Sequence, residues 1–271
     1  MMKWQIRKVV LLASMISVLF FGMLVYYVTY PFLFENKVFF LSQFCLFELQ
    51  KHMGELSMVR IVMGGLLLFT LFIVCKRMWK QFYYSQKLKR NLVGITRKEK
   101  QLYLLPSLEV TAFTIGLFHP KIVISEGVFQ SFTEEEIDAI VLHEEYHQKS
   151  RDPLKLFLFT LLAEGMMYVP ILKGMLHRYH TYQELLADKY AMNQMKSSFE
   201  LGSALLKLIK IKTASNPFIT ASFAKIAINL RIEQVVSPSS VKLNIPLHTN
   251  SVYITMGLFL VSFVLIIGEC I

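Results

Sequence analysis

The segment His143-Glu144-Glu145-Tyr146-His147 follows directly on Ile137, Ile140, Val141 and Leu142, apolar positions whose spacing predicts a helix. Four residues is about one helical turn, so both imidazoles leave the same face and can bind one divalent cation. Zinc suits this donor set, because it takes neutral imidazole nitrogens and carboxylate oxygens in a tetrahedral shell. Glu144 lies one position round from His143, where its carboxylate can reach an attacking water and take its proton. A catalytic cation also needs a third protein ligand and an open position. In Glu184-Leu185-Leu186-Ala187-Asp188 two carboxylates again share a helical face. Glu184 is the expected third ligand, and Asp188 the expected acceptor for the second nitrogen of a ligand histidine. Read alone, each pair could be a solvated polar face. Together they point to zinc.

Several elements must position these residues. Thr133 and Glu136 form a capping box that opens the helix of the first motif. Before it, runs rich in Val, Ile, Thr and aromatics predict short strands: Leu102–Leu105 ending at Pro106, Leu108–Ile115 ending at Gly116, and Lys121–Ser125 after His119-Pro120. Between the two acid-bearing motifs lies the apolar run 154–172, long enough to resemble a membrane span. A crossing would leave Glu184 about 30 Å from the histidines. A helical hairpin does not: about 22 Å out from Pro153 to Tyr168 and about 24 Å back to Glu184 returns the chain to its starting level. Pro170 sits where the turn must come, and Lys155 and Glu164 disfavour lipid on every side. The hairpin at 153–190 is therefore expected to be semi-buried or to dip into a membrane.

The remaining sequence supplies an apolar setting. Of 271 residues 54% are hydrophobic and 18% charged, with mean hydropathy +0.47. Soluble domains carry roughly 25% charge, so the composition argues against a freely soluble globule and against a disordered chain. Val9–Tyr30 is free of charge and spans a bilayer; it is too long for a signal-peptide core of roughly 7–15 residues and is expected to stay as an anchor. Ile61–Cys75 and Val252–Gly268 are the second and third expected spans. Lys3, Arg7 and Lys8 precede the first, and residues 76–100 carry nine Lys/Arg against Glu99. The positive-inside rule then places the N-terminus and the metal motif in the cytoplasm and the C-terminus outside. The net charge of +10 fits that collar better than nucleic acid, since no RNA- or DNA-reading pattern accompanies it. Contact with membrane lipids at the inner leaflet is the expected role of the basic stretch.

The paired motifs, preceded by Ala112-Phe113-Thr114 … Gly116 … Pro120 and a strand ending Ile124-Ser125, resemble those of gluzincin-type membrane metallopeptidases. The similarity is greatest to the beta-lactam-sensing antirepressor peptidases (BlaR/MecR type), with CaaX-protease and HtpX-type endopeptidases as relatives. Arg151-Asp152 and Met166–Pro170 match as well, and the resemblance covers roughly residues 100–195. It implies His143, His147 and Glu184 as zinc ligands, Glu144 as general base and Asp188 as the ligand-orienting carboxylate. It further implies that Phe113, Thr114, Ile115 and Gly116 pair with an extended peptide substrate. Receptors of that group continue into an extracellular penicillin-binding sensor; the sequence ends at Ile271, so a peptidase without that sensor is expected.

The reading is thus a mainly α membrane protein. It has about three transmembrane helices and a helical hairpin, with a cytoplasmic gluzincin-type α+β zinc peptidase domain. Residues 1–80 form the anchor region, 81–250 the peptidase domain and 251–271 the last span. The expected activity is cleavage of a cytoplasmic or membrane-associated protein in antirepressor-like signalling, partnered by a separate sensor protein or a transcriptional repressor and not by nucleic acid directly. The alternative is a non-catalytic receptor or scaffold that keeps the fold. His177 and His180, near Glu184, read either as polar residues of the hairpin or as hydrogen-bond donors to a developing oxyanion; His52, His119 and His248 read as surface residues. Cys45 and Cys270 would share the outer side, either paired or as free thiols. Residues 198–236 show amphipathic helical patterns that complete the domain, and 237–250 reads as a loop.

Overall fold

A computed structural model describes residues 2–38, 46–90, 92–97, 100–215, 222–237 and 245–270, with side chains outside 27, 30–60, 89, 212–225 and 265–270. Cys45 and the arm at 238–244 lie beyond the described residues, and the side chains of His52 and Cys270 beyond the described side chains, so a Cys45–Cys270 pair and the exposure of His52 fall outside them. The protein is mostly helical with one small mixed sheet. The order is α1 (Met2–Val38), α2 (Leu46–Arg90), β1 (Val93–Arg97), β2 (Lys100–Leu105), β3 (Ala112–Ile115), β4 (Lys121–Ser125), α3 (Glu126–Ser131), α4 (Glu134–Lys149), α5 (Asp152–Gly165), α6 (Pro170–Met195), α7 (Phe199–Ser215), α8 (Ser222–Val236) and α9 (Thr249–Cys270). Contacts divide it into two units. One holds 80–160 and 176–246 with the first six residues; the other holds 7–79, 161–175 and 247–271.

In the first unit the strand order is β1-β2-β4-β3, antiparallel except for the β2–β4 pair. β3 is an edge strand, with Phe113 opposite Val123 and Thr114 opposite Ile122. Strand β1 falls within the basic run that reads from sequence as a lipid contact. Arg97 there binds Glu134 at 2.6 Å and Asp138 at 3.1 Å, and Lys100 binds Glu145, so part of that charge serves α4. The expected strand from Leu108 is shorter than its composition suggests. Residues 107–110 bend instead, because their backbone lies against Gly127, where a Cβ would come 2.2 Å from the Leu108 carbonyl. At the other end Gly116 (φ +111°) turns the chain out of β3, and any side chain there would meet the His119 carbonyl at 2.5 Å.

α4 is the pivot of this unit. Its capping box forms as expected, with Thr133 accepting from the Glu136 amide and Glu136 accepting from the Thr133 amide. Ile137, Ile140 and Val141 pack on Leu102, Ile122 and Ile124 of the sheet. Ala139 packs with Ala191, Met192, Leu201 and Val235 of α6, α7 and α8. The helix is therefore held on both sides, and its polar C-terminal half is aimed by packing rather than by its own propensity.

The hairpin appears as α5 and α6, joined at 166–169 before Pro170, with the Phe159 and Tyr179 rings 5.0 Å apart. In the second unit Phe20 of α1 stacks near Phe259 of α9 at 4.2 Å, Thr70 of α2 lies 3.3 Å from the Tyr168 hydroxyl, and Ile171 donates to Thr255. Met2–Tyr26 and Ile61–Leu88 are long and apolar enough to cross a membrane; Thr249–Val264 is apolar but shorter.

Candidate metal centre

The chain reverses between α4 and α5 in two residues, Ser150 and Arg151, with Arg151 in the left-handed region at φ +52°. This tight return brings Asp152 back beneath the helix it has just left. Its Oδ2 lies 2.9 Å from His147 Nδ1. From α6, Asp188 Oδ1 stands 2.8 Å from His143 Nδ1. Each imidazole thus has a carboxylate beside Nδ1, hydrogen-bonded in His147 and at ion-pair distance in His143, and both leave Nε2 to a ligand.

The two Nε2 atoms lie 3.2 Å apart. Glu184 closes the figure, with Oε2 3.5 Å from His143 Nε2 and Oε1 3.6 Å from His147 Nε2. One donor atom from each of the three residues falls within 4.8 Å of the others. Donors about 2.0–2.1 Å from a tetrahedral zinc are separated by about 3.3–3.4 Å, so the triangle has the size a zinc shell demands. The donor set, two imidazoles and a carboxylate, is one that zinc takes in hydrolytic sites. The residues fit the ion.

Electrostatics agree with the spacing. Glu144, Glu184 and Asp188 face one enclosed cation, Arg231, which binds Asp188 through Nε and Nη2 at 2.7 and 2.8 Å and Glu184 through Nη1 at 2.8 Å, and Asp152 adds a fourth acid behind His147. Lys155 adds a second cation at the rim, 3.7 Å from Asp152. With neutral imidazoles, four negative and two positive charges leave a surplus of two, which a dication would cancel. Burial works against a charged His143, yet Asp188 and Glu184 overturn it and push its pKa up to about 10. Burial likewise opposes ionised Glu184, but Arg231 and then the imidazoles hold its carboxyl well below the ordinary range. The cluster attracts positive charge in whatever form is present.

Glu144 is nearly enclosed, at 8% exposure, and its Oε2 lies 2.8 Å from the Thr114 hydroxyl of β3. A cavity of about 420 Å³ opens beside it, between β3 and an apolar wall of Ile140, Leu201, Ala204, Leu205 and Leu208. His180 lines the same cavity, half-exposed, with Nε2 3.8 Å from Glu184 Oε1. His119 and His248 are exposed.

The structure therefore brings His143, Glu144, His147, Glu184 and Asp188 together and sets Phe113, Thr114 and Ile115 on the adjoining edge strand, with Gly116 one step past its end. Two residues had no assigned role from sequence, and a third, Thr114, was expected only to pair with substrate. Asp152 lies five positions after His147, a separation no helical period flags. Arg231 is the one arginine after position 178, set in the apolar helix α8, an oddity that could have drawn notice. Thr114 gives no signal of its contact with Glu144.

A family model described as BlaR1 peptidase M56 matches residues 10–235. The chain is similar to the regulatory protein BlaR1 of Staphylococcus aureus, at 25% identity over 128 residues, covering 45% of this chain and 22% of that protein. It is also similar to the regulatory protein BlaR1 of Bacillus licheniformis, at 23% over 154 residues, covering 50% and 26%. The chain thus spans about a quarter of the length of these curated relatives.

Proposed function

This chain belongs to the BlaR1-type M56 peptidase family, and from that premise we propose that it is a membrane-embedded zinc endopeptidase. It cleaves a peptide bond in a cytoplasmic or membrane-associated protein, in antirepressor-like regulatory signalling. The observation that carries the reading is the triangle of His143 Nε2, His147 Nε2 and a Glu184 carboxylate oxygen, with sides of 3.2, 3.5 and 3.6 Å. Zinc held there supplies Lewis acidity toward a carbonyl and lowers the pKa of water.

The chain's own residues do the rest. Asp188 and Asp152 keep both imidazoles turned with Nε2 inward. Arg231 fixes Glu184 and Asp188. Glu144 takes the proton from the attacking water and returns it to the leaving amine. An extended peptide adds as a strand to the open edge of β3, past Phe113, Thr114 and Ile115, and the turn at Gly116 ends the pairing. The cavity wall from α7 receives an apolar side chain of the substrate.

The domain built on α4 and the sheet is read as a gluzincin-type fold. α1, α2 and α9 are read as three spans with the N-terminus and the site cytoplasmic, since basic residues cluster before α1 and at the end of α2. Partners are the protein substrate, membrane lipids, and a separate sensor or a transcriptional repressor.

The test uses the full chain in detergent, loaded with zinc, against dye-quenched casein. Glu144→Gln should keep one zinc per chain and lose at least about 10²-fold in rate. Undiminished cleavage in that variant would overturn the reading, and a wild type that binds zinc without cleaving would favour a non-catalytic receptor.

A further inference from the structure

Thr114 is the only described residue whose side chain hydrogen-bonds the Glu144 carboxylate. Its Oγ1 lies 2.8 Å from Glu144 Oε2 and 3.0 Å from the Glu144 backbone carbonyl. A hydroxyl has one proton, so it donates to one of the two at a time, and the ionised carboxylate is the stronger acceptor. Oε1 receives no hydrogen bond from a described residue and is left to the cavity. One oxygen is tethered to the sheet and the other is open.

We propose that Thr114 is a positioning residue for Glu144: its hydroxyl pins one carboxylate oxygen to edge strand β3 and thereby turns the other toward the reacting centre. The inference rests on the peptidase reading above, which supplies the role of Glu144. Geometry explains why a tether is needed. Glu144 follows a ligand histidine on α4, and a glutamate side chain has three rotatable bonds, so the helix fixes its Cα but not its carboxylate. The strand fixes the carboxylate. Because β3 is also the strand a peptide would join, a substrate that pairs with it meets a base already held by the same residue. The Thr114 side chain shares the α4-facing side of β3 with Ala112, while the Phe113 and Ile115 side chains point to the other face. A one-residue slip in this strand would exchange the hydroxyl for an apolar group.

The experiment compares Thr114→Val, which keeps shape and strand preference, with Thr114→Ser, which keeps the hydroxyl. The full-length chain is loaded with zinc, and two readouts are taken: casein hydrolysis, and binding of leucine hydroxamate, whose acidic hydroxyl gives up its proton to the base. Thr114→Val should lower kcat by roughly ten- to a hundredfold, the cost of a small misplacement of a reacting group, with KM within about threefold. Hydroxamate binding should weaken by about tenfold while zinc content stays at one per chain. Thr114→Ser should restore most of both. In a Glu144→Ala background the valine substitution should change hydroxamate binding by less than about twofold, because no carboxylate remains to be held.

A Thr114→Val chain equal to wild type in both readouts overturns the proposal. So does one that loses zinc or thermal stability in step with activity, or one whose defect persists in the Glu144→Ala background. Wild type that binds zinc and hydroxamate but never cleaves would remove the peptidase reading and leave the hydroxamate comparison to decide on Thr114. Wild type without zinc would remove both.

Discussion

Acids cluster around both ends of α4 and are used in opposite ways. At the N-terminal end the engaged carboxylates are ion-paired: Arg97 bridges Glu134 and Asp138, and Lys207 binds Glu136 at 2.7 Å, with Ser203 and the Thr133 amide completing the shell. The positive end of the helix dipole adds to the balance. Around the C-terminal end Glu145 is matched by Lys100 and Lys149, while Glu184 and Asp188 share Arg231 and Asp152 meets the rim lysine Lys155. At one end the engaged carboxylates are tied up by cations, a hydroxyl and helix amides. At the other, two imidazole nitrogens and a carboxylate oxygen converge with the spacing that holds a divalent ion. Carboxylates saturated by ion pairs mark scaffold; lone pairs converging on one point mark a site.

Substitutions can break that contrast. The largest effect should come from His147→Ala or Glu184→Gln. Either should reduce zinc from one per chain to a trace and remove hydrolysis, by at least about 10³-fold, whereas Glu136→Gln should leave zinc content unchanged; elemental analysis of purified chains reads both. Next is Arg231→Met. Asp188 is fully buried, and losing its bidentate partner should destabilise the first unit by about 3–5 kcal/mol in the metal-free chain, with zinc recovering part of it. Lys207→Met, its counterpart at the other end, should cost only about 1–3 kcal/mol and leave zinc affinity alone. Thermal melts with and without a chelator separate the two.

Smaller effects sharpen the comparison. Asp152→Asn leaves the ligands in place but weakens the grip on His147, and should lower zinc affinity by about 10- to 100-fold in a chelator competition. Thr133→Ala should cost about 1 kcal/mol of stability with no change in zinc. Acid should act at the saturated end in a definite direction. Burial opposes ionised Glu136, but Lys207, Ser203 and the Thr133 amide hold its carboxyl below the ordinary range. Its folded pKa is depressed, so its contribution is present above about pH 4.5 and lost as pH falls through the folded value. The stability gap between wild type and Glu136→Gln should therefore narrow as pH falls below the ordinary carboxylate range, as followed by melts across pH.

What could be read from the sequence was whatever has a short period or fixed chemistry. The His143–His147 and Glu184–Asp188 pairs lie one helical turn apart, the Thr133–Glu136 box is a local contact, and the hairpin follows from chain length between two motifs that must meet. What could not be read depends on packing between distant segments. Arg231 comes 43 positions after Asp188 and reaches it only because α8 packs beside α6. Thr114 meets Glu144 only because β3 is the sheet's edge and lies over α4. Strand β1 was hidden by its own cations, since Arg97 and the lysines around it look like a membrane collar until Arg97 is seen bound to α4. The stretch from Leu108 has strand composition but must bend to clear Gly127, a constraint set by a residue nineteen positions on.

The central claim, that His143, His147 and Glu184 converge on one zinc, is tested most directly by zinc K-edge X-ray absorption on the purified full-length chain. The account predicts one zinc per chain with nitrogen and oxygen neighbours at about 2.0–2.1 Å, including the outer-shell signature of two imidazoles, and loss of that signature in His147→Ala. A sulfur shell at about 2.3 Å, or no zinc in a folded wild-type chain, would contradict it.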